Sequence, residues 1–197
     1  MNSYKNVSLK SPQQGYTLVE LSISVAILSV LIVAGLLGVQ AILTSGKVND
    51  QIKTVAKLSA KASALFASNS GGTTNVTQQQ MINVGAWDAS KANGAVVTSS
   101  FGSLETIAPN TAAIGAMAIN TGFVHTINSI PQAACADLAS GVSGFVYALH
   151  VMAASSALPA LWPANSAKPP GAANVSLSNL ANACNSTNSD FYLAIKP

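Results

Sequence analysis

Arginine is absent from the 197 residues, and charge of either sign is scarce: nine lysines and six acids make up 8% of the chain. The arginine fork is the usual reader of bases and clamp of phosphates, so specific nucleic-acid recognition is set aside at the start. So little charge with 49% hydrophobic residues excludes a disordered polyelectrolyte and departs from the charged surface of a typical cytosolic protein. Cysteine and histidine are nearly absent as well. Cys135, Cys184, His125 and His150 are the whole supply, too thin for a convincing zinc site. No Gly-rich phosphate loop, H-E-x-x-H pair or G-x-S-x-G elbow occurs. The chain is therefore expected to be no enzyme and to need no cofactor or metal.

What is present is unevenly laid out. Lys5 and Lys10 make residues 1–15 basic, and Glu20 is the only charge in 16–43. Lys47, Lys53, Lys57 and Lys61 face Asp50 alone in 44–69, and residues 70–197 are nearly neutral. From Leu21 to Leu43 run 23 uncharged residues, about 35 Å of helix, which is enough to cross a bilayer core. The run exceeds a secretory h-region and lacks a small-residue cleavage site beyond it, so it reads as a retained span. The leading lysines place the N-terminus in the cytoplasm and the bulk outside. Beyond the span, Val48, Ile52, Val55 and Phe66 fall near one helical face, with Lys53, Lys57 and Lys61 in a row on another. That row is either solvated or a surface that meets acids or phosphates. The helix is predicted to end near Ser68, before Ser70-Gly71-Gly72.

The remainder is rich in Ser, Thr, Asn, Ala and Gly. Strands are predicted over 95–99, 114–120, 122–128, 145–152 and 191–196, with Asn120-Thr121-Gly122 as a hairpin turn. One helix is expected after Asn128 or Ser129 as cap, with Pro131 in its first turn and Gly141 past its end, and another after Ser176. His125 and His150 read as packed or hydrogen-bonded side chains, and Trp87 and Trp162 as local packing. Asn75, Asn174 and Asn185 head sequons that arise often by chance. An even pair of cysteines in an exported segment predicts a disulfide between Cys135 and Cys184.

A carboxylate at the edge of an apolar span needs a partner or a task, which singles out Glu20. The string GYTLVELSISVAILSVLIVAGLLGVQ, behind a short lysine-bearing leader, resembles the N-terminal signature of type IV pilins. In that family a prepilin peptidase cuts after the glycine, here Gly15. The next residue, here Tyr16, becomes a usually methylated N-terminus, although Tyr16 departs from the family's preferred phenylalanine, methionine or leucine. Glu20 then matches the family's assembly acid, whose partner would be the free amine of a neighbouring subunit. Gly35 and Gly38 stand where the helix can melt or pack closely in a filament. The segments IPQAACADLAS and LANACNSTNSDFYLAIK resemble the type IVb branch, which includes conjugative thin-pilus and toxin-coregulated-type pilins.

The resemblance implies an α+β type IV pilin fold: a long N-terminal helix packed against an antiparallel β-sheet head with a C-terminal disulfide loop. The expected organisation is a leader over 1–15, a transmembrane and filament-core helix over 16–43, an amphipathic helix over 44–69, and a head over 70–197 with a disulfide-bounded region over 135–184. The implied function is that of a major pilin for adhesion, aggregation, motility or conjugation. Held first in the bacterial inner membrane with its head periplasmic, it would be lifted by an assembly platform and ATPase into a homo-oligomeric helical filament at the cell surface. Host or bacterial receptors would then meet the head. A minor tip pilin, a type II secretion pseudopilin and a membrane-anchored enzyme stand as alternatives.

Overall fold

The structure, a computed structural model, describes residues 15–68, 72–74, 76–154 and 162–197. Lys5, Lys10, Ser70, Gly71 and Asn75, which figure in the expectations above, lie outside them. The chain divides into two units, Met1–Ile42 and Leu43–Pro197, and helix α1 (Leu18–Ser68) contributes to both. In the second unit α1 buries Val48, Val55, Leu58 and Ala62 at roughly helical spacing, together with the polar Gln51 and Thr54. Lys53 and Lys61 stay exposed, while Lys57 pairs with Asp88 at 2.7 Å. The lysine row is thus partly solvated and partly bound to acid.

The head is one six-stranded antiparallel sheet in the order β1-β2-β3-β4-β6-β5. Its strands are β1 (Ala92–Asn93), β2 (Val96–Thr98), β3 (Leu104–Pro109), β4 (Phe123–Pro131), β5 (Ala148–Ala153) and β6 (Asn188–Ile195). In β4 the alternation Phe123, His125, Ile127 points into the core. A one-residue bulge then shifts the register between Ile127 and Ile130, so that Ile130 faces inward too. Ser129 sits in the bulge at φ 51°, and its N–H donates to Asp190 Oδ1 at 2.8 Å. The interior strand β6 is buried from Ser189 to Ile195, since β4 and β5 flank it and both faces are covered.

Among the described residues, three helices complete the head: α2 (Gln78–Asn83), α3 (Gln132–Val142) and α4 (Leu177–Ala183). α2 starts with a reciprocal cap, in which Thr77 Oγ1 accepts the Gln80 N–H and Gln80 Oε1 accepts the Thr77 N–H. α3 follows β4 directly. Its N-cap is Pro131, not Asn128 or Ser129, and the Gln132 N–H is satisfied by the Thr187 carbonyl at 3.0 Å. Gly141 lies inside α3, where Ile52 approaches so closely that a Cβ would collide with it. Just past α3, the buried Lys168 ammonium donates to the carbonyls of Ser143 (2.6 Å) and Val146 (2.7 Å), closing that end of the helix. The disulfide Cys135–Cys184 ties α3 to the C-cap of α4 with a Cα–Cα separation of 5.8 Å.

Several expectations need correction. Residues 114–120 form no strand: only a single bridge joins Ile114 and Met117, and Gly115 and Asn120 have positive φ. Asn110 organises that loop, its amide donating to the carbonyls of Ala112 (2.9 Å) and Ala118 (2.7 Å) while its Oδ1 accepts from Gly122 N (2.9 Å). The hairpin partner of β4 is therefore β3, and Asn120-Thr121-Gly122 closes a long loop instead of a tight turn. The strand expected over 145–152 begins only at Ala148, because Phe145 N still bonds to Val142 O in the turn after α3.

The head's polar centre is Glu105, 1% exposed. Its Oε2 accepts from Trp87 Nε1 (2.8 Å) and His125 Nε2 (3.0 Å), and its Oε1 from Gln51 Nε2 (2.7 Å). Burial opposes ionisation, yet the bond and charge of His125 and the bonds from Trp87 and Gln51 together hold the carboxyl below its ordinary range. A depressed folded value stabilises the native state above the unfolded one, and that stabilisation fades as pH falls through the folded value. Stability to denaturant should accordingly decline below about pH 4.5, the ordinary glutamate value. Glu105→Ala strands three buried donors and should lower the unfolding free energy by about 3 kcal/mol, read from the denaturation midpoint. Reducing the bridge, which spans 49 residues, should cost about 4 kcal/mol by the same measurement.

Candidate assembly segment

Residues 15–43 carry the signature singled out in the sequence. Gly15, Tyr16 and Thr17 precede α1 and are not helical, so the Gly15–Tyr16 peptide bond lies in exposed backbone outside regular structure. Tyr16 is 83% exposed. A Cβ added at Gly15 meets nothing within 4 Å, and the residue does not need a positive φ, so nothing in the folded chain demands glycine there.

Helix α1 then begins on a local signal. Thr17 Oγ1 accepts the Glu20 N–H at 3.2 Å, and the Thr17 carbonyl accepts the Leu21 N–H at 3.1 Å, which makes Thr17 the cap. Glu20 is thereby the acid of the first turn, where the positive end of the helix dipole favours a carboxylate. Reasoning from the span alone missed this cap. The T-x-x-E spacing of Thr17 and Glu20 is the signal that would have found it.

Every described side chain from Tyr16 to Leu43 is exposed, and most are large and apolar. By length and composition α1 is able to cross a membrane. Its serines hide their polarity within the helix: Ser22, Ser24 and Ser29 hydroxyls donate to the carbonyls of Val19, Glu20 and Ala26 at 2.8, 2.8 and 2.7 Å. Gly35 and Gly38 are both helical, and a Cβ at either meets nothing within 4 Å. Each costs the isolated helix about 1 kcal/mol relative to alanine without any return from packing inside the chain.

In the head, two polar groups flank the outer part of α1. Asp50 Oδ2 accepts from Lys91 Nζ (2.7 Å) and Ser100 Oγ (2.6 Å), and Lys91 also donates to Thr54 Oγ1 at 2.9 Å. The bonds from Lys91 and Ser100 hold the Asp50 carboxyl below its ordinary value. His150 and Trp162 meet edge to face, ring centroids 6.1 Å apart, on the sheet face opposite α1. The expectation of packed tryptophans and histidines holds for these four residues. No group of three or more metal-ligating side chains gathers among the described residues.

Comparison with known proteins bears on both parts of the molecule. Residues 10–36 match the family model of the prokaryotic N-terminal methylation motif. Two solved structures share the head's architecture. The type IVb pilin from Salmonella typhi aligns with a TM-score of 0.50 at 18% identity, over 74% of this chain and 97% of that one. TcpA, a type IV pilin from Vibrio cholerae El Tor biotype, aligns with a TM-score of 0.51 at 16% identity, over 76% of this chain and 98% of that one. No curated protein sequence matches the chain. A long apolar helix, an antiparallel sheet and a disulfide-closed C-terminal region are present as the sequence implied, and the chain joins a prokaryotic N-terminal methylation motif to a type IV pilin fold.

Proposed function

We propose that the chain is a structural subunit of a type IV pilus, made as an inner-membrane precursor, cut between Gly15 and Tyr16 and polymerised through the first part of α1. The observation that carries this reading is an apolar helical segment that the chain itself leaves uncovered, behind an exposed glycine for which the fold has no use. Before assembly, lipid covers the segment. In a filament the same surface is covered by copies of itself, so apolar contacts exchange without net exposure to water.

Cleavage gives the chain an α-amino cation near the start of α1. A lone cation and the lone Glu20 carboxylate are each unfavourable in an apolar surround, and side-by-side helices bring the amine of one copy to the carboxylate of another. A slipped register leaves both unpaired, so Glu20 acts as an alignment device. Gly35 and Gly38 have room for a neighbouring helix to approach closely, or for local unwinding as α1 leaves the bilayer. A peptidase, an assembly platform and an ATPase would act on the chain in turn, and the role is that of the major subunit.

Intact-mass analysis of protein from the native host should show loss of residues 1–15 and one added methyl group on Tyr16; a retained Met1 or a different start contradicts the reading. Glu20→Val should leave the membrane-bound precursor at its normal level while fibres recovered by shearing fall by roughly tenfold or more, as expected for a few kcal/mol of lost alignment energy. Stoichiometry in the sheared fibres checks the major-subunit assignment, since a tip protein is found only in trace amounts.

A further inference from the structure

We infer that the heads of neighbouring copies bind one another through Asp137 on α3 of one copy and the Lys53–Lys61 face of α1 on the next. This rests on the reading that the chain polymerises.

The head's charges are few and mostly spoken for. Lys57 pairs with Asp88, Lys91 with Asp50, Glu105 with His125, and Lys168 donates to backbone carbonyls. Asp190 accepts from Ser129 N. Among the described residues of the second unit, that leaves Asp137 as the exposed acid with no ion pair, and Lys47, Lys53 and Lys61 as exposed cations of α1 without one, of which Lys53 and Lys61 bracket Lys57 on one face. Lys53 lies within electrostatic reach of Asp50, which Lys91 already satisfies.

The leftover charges are sorted by sign and by side. α3 flanks α1 where Ile52 meets Gly141 and where Ser59 Oγ donates to the Phe145 carbonyl at 3.0 Å. The lysines lie on the other flank, where Lys57 reaches Asp88. At 3.6 residues per turn, Ile52 and Lys57 point roughly 140° apart. A single head therefore cannot join its own Asp137 to its own lysine face, but it offers each to a different neighbour at once. Two unlike, complementary patches make a heterologous contact, which propagates as an open helix or ring and does not close into a two-fold dimer. Small side chains surround both charges: Ala133 and Ala136 are exposed beside Asp137, and Ala60 and Ala64 beside Lys61. Helices lined with alanine can approach until the charged tips meet. In a chain with so little charge, one such pair decides register and orientation more than total affinity.

Charge reversal in the full-length chain, expressed in its own host, tests this. Asp137→Lys should cut the yield of sheared fibres roughly tenfold, and Lys53→Asp with Lys61→Asp should do the same. In each case the membrane-bound level and the gel mobility of the oxidised disulfide form should match those of the unaltered chain. Combining all three substitutions should restore the yield, because every contact then carries the opposite pair. If either reversal leaves the yield unchanged, or if the combined chain assembles as poorly as the single reversals, the inference is wrong. Silent reversals in a chain that still makes abundant fibres refute this contact alone. Failure of the unaltered chain to make fibres refutes polymerisation itself and the contact with it.

Discussion

A carboxylate buried among apolar strands holds the head to its helix. Apolar packing between α1 and the sheet is strong but non-directional, and a helix whose buried face is valine, leucine and alanine can slide along a sheet at modest cost. Glu105 removes that freedom, because its donors come from three separate places: Gln51 on α1, Trp87 in the loop after α2, and His125 on β4. Any shift of α1 by one turn takes Gln51 away and strips a nearly inaccessible carboxylate of one donor. Gln51 also accepts the Ser100 N–H at 3.0 Å, so the same amide fixes the loop before β3. The Glu105 contact orients an imidazole as well. His125 Nδ1 is buried without a hydrogen-bond partner, so the ring is oriented by its Nε2 contact with Glu105.

The two parts of α1 solve opposite problems with the same backbone. Between Val48 and Ala62 the buried face carries polar residues with defined partners, and orientation is specified bond by bond. Between Tyr16 and Leu43 the side chains touch little within the chain, and the serine hydroxyls are folded back on the helix. Such a surface sets no particular rotation about its axis, which suits the proposed passage from lipid to a bundle of copies. The one charged side chain there, Glu20, stands at the end where α1 begins.

This division explains what the sequence disclosed. The span, the end of α1 at Ser68, the helices after Pro131 and Ser176 and the inner strands follow from length, caps and apolar alternation, all of which are local. β3 stayed hidden because Glu105 occupies an inward position in Leu-Glu-Thr-Ile-Ala-Pro, so the residue that matters most to the head broke the pattern that marks a strand. The opposite error over 114–120 has a matching cause. Its apolar residues look like a strand, but Ile114 and Met117 pack onto the outer sheet face from a loop that Asn110 holds by side-chain bonds. The boundaries of α3 shifted because tertiary contacts, the Thr187 carbonyl at its start and Ile52 against Gly141, replace the local caps that a sequence displays. At the start of α1 the sequence marked the long apolar helix, but not its cap at Thr17.

On the proposed reading, a subunit drawn from a membrane by one end of α1 must pass load from that helix to the sheet, and the connectivity of the second unit offers a route. Force along α1 reaches β3 through Gln51 and Glu105, then β4 through both His125 and the β3–β4 ladder, then β6 through the pairing of Phe123–Pro131 with Asn188–Ile195. β6 lies between β4 and β5 with both neighbours hydrogen-bonded along its length, so shearing it out requires breaking two ladders together. The elements outside this ladder, α3 and α4, are secured differently, by the Cys135–Cys184 bond and by Lys168 on the carbonyls after α3. Neither restraint involves α1. The Cys135–Cys184 region is thus closed by bonds that do not run through α1.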